Sequence, residues 1–194
     1  MKKLIEEIER RLTSHHDLYD SPCNGILWEE VLLKSLVATG DKNASWEGGS
    51  HKIGADITKS KYGDISCKSG AKNYIKKEDT TYLSISGSRT GKYETIEEKK
   101  VFLATKHEDV YFCLARNDKE WKRGEKKYYF CVFKSLDYTG LEWEESFKRD
   151  GKTISGWKAS NERMKVKIIK KNSDQLWTEL KEDYIDEEYP ITIR

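Results

Sequence analysis

Little in this chain points to a membrane, a secreted scaffold or a disordered linker. It has two prolines, no low-complexity stretch and no internal repeat. No apolar run approaches the ~18 residues of a membrane-spanning helix, and no secretory leader is recognisable, so a cytoplasmic protein is expected, with no membrane partner. The four cysteines (Cys23, Cys67, Cys113, Cys131) lie far apart with no Cys-x-x-Cys pair. That excludes a zinc ribbon or a disulfide framework and leaves them as small buried hydrophobes. His15, His16, His51 and His107 show no ligand spacing. The segment Gly87-x-x-x-Gly91-Lys92-Tyr93 is one residue short of a phosphate loop and lacks Ser or Thr after the lysine, so no nucleotide cofactor is expected. Neither sign of charge dominates, with 36 basic residues against 34 acidic ones. What is plentiful is aromatic: six Trp and eleven Tyr argue for a packed core, and 194 residues predict a single domain over 1–194.

The charge is unevenly spread. Residues 51–77 carry seven lysines against Asp56 and Asp64, and residues 158–171 carry six basic residues against Glu162. Such segments suit a phosphate backbone; a solvated lysine-rich face is the plainer reading. Apolar spacing predicts a helix over 1–12, a loop over 13–24 and a helix over 26–39 ended by Gly40. Strands are expected within 53–58, 65–69 and 80–86, then a helix over 94–106. Apolar β-branched and aromatic runs predict strands at 110–116 and 127–135, with a charged loop between them. Beyond these come a short helix within 141–149, a hairpin from 154–159 and 164–170, and a helix over 174–181 capped by Ser173. Pro190 falls in a short extended tail. The order helix, three strands, helix, two strands predicts an α/β (α+β) fold: a mixed central β-sheet flanked by helices.

Two positions bear on chemistry. In the hairpin, period two places Asp56 and Thr58 on one face of the first strand, and Ser66 and Lys68 on one face of the second. A carboxylate and an ammonium held on adjacent strands suit metal-assisted phosphodiester hydrolysis, the acid anchoring Mg²⁺ and the lysine orienting water. An ordinary solvated hairpin fits the same residues. Glu29 lies between Leu33 and Leu36 on the otherwise apolar arc of its helix. A carboxylate there takes a partner or a metal, or reaches solvent from the edge of the buried face.

With Asp56, Lys68 and Glu29 in this element order, residues 25–135 resemble the PD-(D/E)XK nuclease superfamily, most closely type II restriction endonucleases. The resemblance implies that superfamily's αβββαβ core, with residues 136–194 an added DNA-binding or dimerisation region. Asp56 matches its first aspartate, Lys68 its lysine, and Gly25-x-x-x-Glu29 its helix glutamate. Gly49-Ser50 before the aspartate is similar to archaeal Holliday-junction resolvases. The departure is Ser66, where the superfamily has Glu or Asp; Glu29 or Asp64 is the acid available to compensate. The implied catalytic residues are Asp56, Lys68, Glu29 and Ser66. The implied metal site is Asp56, Glu29 and the carbonyl of Cys67 or Ile65, holding Mg²⁺, with Mn²⁺ able to substitute. Hydrolysis then leaves 5′-phosphate ends.

The stretch 84–92 offers small hydroxyls and basic residues for a DNA backbone: Ser86, Ser88, Arg89 and Lys92, with Ser50 and Lys72 nearer the hairpin. A turn before a helix is the plainer reading. Trp121, Lys122, Arg123 and Trp157 mix aromatic and cationic groups suited to base or phosphate contacts. The expectation is a Mg²⁺-dependent, site-specific endonuclease on double-stranded DNA, acting as a homodimer because both strands of a palindrome need cutting. A structure-specific nuclease of the same fold is the first rival. A decayed, non-catalytic DNA-binding protein is the second.

Overall fold

A computed structural model of the chain describes residues 1–46, 55–105, 109–122, 126–134, 136–148, 151–170 and 173–193. In chain order the helices and strands are α1 (Lys2–His16), α2 (Gly25–Ala38), β1 (Ser45–Trp46), β2 (Ile57–Ser60), β3 (Gly63–Ile75), β4 (Thr80–Arg89), α3 (Ile96–Ala104), β5 (Val110–Arg116), α4 (Asp118–Lys122), β6 (Lys127–Lys134), β7 (Glu144–Phe147), β8 (Ile154–Ser160), β9 (Met164–Ile169), β10 (Gln175–Lys181) and β11 (Glu187–Thr192), with one 3₁₀ turn at Glu182–Tyr184. No helix among the described residues is long and apolar enough to cross a membrane. The four cysteines are free and buried, as the spacing predicts.

The chain forms two compact units rather than dividing at a single point. The first is Met1–Lys72, His107–Ser135 and Ile185–Arg194; the second is Asn73–Lys106 and Leu136–Tyr184. In the first unit the strand order is β1-β2-β3-β5-β6-β11. β3 and β5 run parallel, and the other neighbours are antiparallel. The unit is therefore a mixed sheet with helices, as expected. Leu4, Ile8 and Leu12 of α1 and Trp28, Leu32 and Leu36 of α2 bury one helical stripe each against Ile57, Ile65, Cys67, Phe112 and Phe130. Trp28 is fully buried, and its indole donates to the Phe112 carbonyl at 3.3 Å.

α2 stops at Gly40, whose φ of +100° favours glycine. There Asp41 N–H donates to the Leu36 carbonyl and Gly40 N–H to that of Val37, the Schellman pair of bonds. α2 is less enclosed than its composition predicts: Ile26, Leu27 and Val37 are exposed. α1 continues four residues past its expected end. Thr13 and Ser14 hydroxyls return to the carbonyls of Glu9 and Arg10, and buried His15 reaches the Ser21 carbonyl. Pro190, without an N–H, sits on the edge strand β11.

The second unit is an antiparallel sheet ordered β4-β10-β9-β8-β7, with α3. The hairpin of β8 and β9 is as expected. Two helices are not: 174–181 contains strand β10, and 141–149 contains strand β7. In β10, Leu176, Thr178 and Leu180 are fully buried while their neighbours are half-exposed, the period of a strand. The expected loop at 84–92 is mostly strand as well, since β4 runs to Arg89 against β10. Its small residues fit that partner: a Cβ on Gly87 would lie 2.9 Å from Leu176. α3 opens with a capping box, Thr95 accepting from Glu98 N–H and Glu98 from Thr95 N–H.

Candidate active site

Asp56 sits one residue before β2, its N–H donating to the Ile65 carbonyl at 2.9 Å. That bond extends the β2–β3 ladder and hangs the carboxylate over β3. Oδ2 accepts the Cys67 N–H at 2.7 Å, lies 3.5 Å from the Ser66 hydroxyl and 3.6 Å from the Lys68 ammonium. Lys68 Nζ also donates to the Cys67 carbonyl at 3.1 Å and stands 5.7 Å above the Tyr111 ring. The Asp56 and Lys68 side chains keep 29% and 18% of their surface exposed, enough for a ligand to approach. β3 therefore puts Ser66 and Lys68 with Asp56, as period two requires, while Ile65 and Cys67 join the apolar core. Burial pushes the Cys67 thiol up, the negative charges of Asp56 and Glu29 add to this, and Lys68 opposes it. Cys67 thus offers the site its carbonyl, not a thiolate.

Glu29 does find a partner. Its Oε2 accepts the Trp46 indole N–H at 3.0 Å. Trp46 lies on β1 opposite Ile57, the residue after Asp56. Composition and spacing give no warning of that contact, because β1 is two residues long. Asp64 is exposed, and its backbone N–H donates to Asp109 Oδ2 at 2.8 Å. Among the described residues its carboxylate bonds neither Asp56 nor Lys68.

The DNA-contact residues expected elsewhere do not gather here. Lys72 is 7% exposed, with its ammonium on both oxygens of Glu188 at 2.8 and 2.7 Å and 4.7 Å from the Tyr129 ring. This is a correction: Lys72 is turned inward and its charge is spent within the fold. Ser86, Ser88 and Arg89 belong to β4 rather than a loop, and Lys92 lies over the rings of Tyr93 and Phe102. Arg89 and Lys92 are exposed, in the second unit. Ser50, His51, His107 and Arg123 lie outside the described residues. Trp121 packs on Tyr128 and His16. The basic run at 158–171 is largely compensated by neighbouring strands and turns: Lys158 pairs with Glu144, Lys165 with Glu78, and Lys167 with Glu179. That is the solvated-face reading of the segment.

Among the described residues, no group of three or more His, Cys, Asp or Glu is placed to hold a metal. The donors present are two carboxylates, Asp56 and Glu29, and one peptide carbonyl. Asp56 Oδ1 and Glu29 Oε1 accept no protein hydrogen bond among the described residues. Mg²⁺ keeps most of its water and needs only one or two carboxylates plus substrate phosphate, so this sparse oxygen set fits it; a closed zinc or calcium cage it does not form. Compared with protein-family models, curated proteins and solved structures, the chain matches none.

Proposed function

We propose that this chain is a Mg²⁺-dependent endonuclease of the PD-(D/E)XK type, cutting double-stranded DNA at a specific sequence as type II restriction enzymes do and working as a homodimer. The observation that carries the reading is the half-open Asp56–Lys68 pair, 3.6 Å apart on adjoining strands with the Cys67 carbonyl between them. Asp56 and Glu29, with the Cys67 carbonyl, would hold the ion. When bound, Mg²⁺ supplies charge stabilisation to the phosphate and the leaving oxygen. Lys68 orients the attacking water and offsets charge that develops on the phosphoryl oxygens. Ser66, neutral and 1% exposed, bonds the Asp56 carboxylate in place of a second acid. Exposed Arg89 and Lys92 are the candidates for backbone contacts. Mn²⁺ is expected to substitute for Mg²⁺, and no nucleotide cofactor is required.

Long unmethylated phage DNA incubated with the protein in Mg²⁺ or in EDTA tests this. Discrete bands that need Mg²⁺ and disappear with Lys68→Ala are expected. DNA left whole, while four-way junctions are cut, transfers the activity to a structure-specific nuclease. A second reading, a DNA-binding protein on a decayed nuclease fold, is favoured by Ser66 alone and predicts no cleavage of either substrate.

A further inference from the structure

Trp46 stands out as the partner of Glu29, because a tryptophan at the edge of an acidic site is an unusual way to hold a carboxylate. Its indole N–H is a donor only and carries no charge. It fixes one oxygen of Glu29 without neutralising it, whereas a lysine or arginine there would compete with a cation for the same carboxylate. Among the described residues that hydrogen bond is the only one Glu29 makes. Glutamate otherwise loses about 1.5–2 kcal/mol of rotamer freedom on being fixed. A donor that fixes it beforehand removes much of that cost from metal binding. Trp46 keeps 40% of its surface exposed, which is more than packing alone requires of a large aromatic. Its register opposite Ile57 places it in sequence-adjacent reach of Asp56.

We propose that Trp46 is a positioning residue: its indole N–H holds Glu29 Oε2 so that Oε1 faces the divalent cation, and its ring reports the cation's arrival. This rests on the metal-dependent reading above and adds to it a residue outside the metal's own ligand set. Partners of this kind typically contribute 10–100-fold to metal affinity.

The test is a Mn²⁺ titration of the wild-type chain, Trp46→Phe, Trp46→His and Glu29→Gln, read by tryptophan emission and by calorimetry, on proteins whose circular dichroism matches the wild type. Mn²⁺ is paramagnetic and quenches a nearby indole. Saturable partial quenching is expected in the wild type. Trp46→Phe keeps a ring but has no N–H; it should lose the quenched component and bind Mn²⁺ about 10-fold more weakly. Trp46→His restores a donor and should recover part of the affinity, which a merely packing role would not allow. Glu29→Gln still accepts from the indole and should lose the quenching through loss of the ion. Wild-type affinity in Trp46→Phe, with saturable binding in the wild type, overturns this proposal alone. No saturable binding in the wild type overturns it together with the metal-dependent reading.

Discussion

The molecule contains two lysine–aspartate pairs of similar chemistry and opposite design. In the first unit, Lys68 and Asp56 are 3.6 Å apart and partly exposed, and among the described residues Lys68 makes one hydrogen bond, to the Cys67 carbonyl. In the second, Lys99 is fully buried. Its ammonium donates to the Thr90 carbonyl at 2.9 Å, to the Tyr93 carbonyl and to Asp174 Oδ2 at 3.0 Å, and lies 5.4 Å from the Trp157 ring. Lys99 has three donors and three acceptors, so nothing is left for a ligand. It ties α3 to the turn after β4 and to the turn before β10, where Ser173 and Asp174 both have positive φ. Lys68 has unspent donors and an approachable face. A saturated buried pair holds a fold together, whereas a loose half-open pair costs little to rearrange around a substrate.

The largest expected effect is on the saturated pair. Lys99→Met leaves a carboxylate and two carbonyls without their donor and should cost about 3 kcal/mol, read from the urea midpoint at unchanged slope. Next comes Lys68→Ala, which should lower Mg²⁺-dependent DNA cleavage by at least about 100-fold while moving stability by under about 1 kcal/mol. The comparison breaks if Lys68→Ala destabilises as much as Lys99→Met. It sharpens if the two variants separate cleanly into an activity loss and a stability loss.

The smallest effect concerns His16, whose ring bridges the Tyr19 carbonyl and the Tyr128 hydroxyl, both at 2.9 Å. Burial holds its pKa below the ordinary 6.5; His15 and Lys126 push the same way, and the Tyr19 carbonyl opposes them. The folded state therefore resists protonation that the unfolded chain accepts. Above about pH 6.5 both states are neutral and nothing is lost. As pH falls through 6.5 towards the lowered folded value, the unfolded state gains protons first and stability drops. Thermal melts of the wild type and His16→Gln between pH 7.5 and pH 5 should differ in this slope, with the variant the flatter.

How much of this was legible in the sequence depended on whether local pattern and tertiary partner agreed. β5 and β6, apolar and β-branched, have no competing period. α2 and its Gly40 stop read directly, and so did Asp56 and Lys68 on adjoining strands, because a short polar turn between two extended runs leaves few other pairings. β10 failed because Leu176 and Leu180 stand four apart, a spacing that a helix and a strand share, and Ser173 resembled an N-cap. Thr178, buried between them and bonded to the Tyr138 hydroxyl at 3.1 Å, decides for the strand, and no local rule sees it. The hydroxyl-rich 84–92 read as a turn until β10 supplied its ladder. In the site, Glu29 could be flagged as an anomaly, but Trp46 could not be matched to it across 17 residues of chain. Lys72 looked available by composition and is turned inward by Glu188, 116 residues away.

The measurement that tests the central claim most directly is calorimetric titration of Mn²⁺ into the wild-type chain and into Asp56→Ala, both verified as folded. The account predicts saturable binding by the wild type and its loss, or a weakening of at least about 10-fold, in the variant. Equal binding by the two, or none by either, would contradict a metal site at Asp56 and leave the Asp56–Lys68 pair as an ordinary surface ion pair.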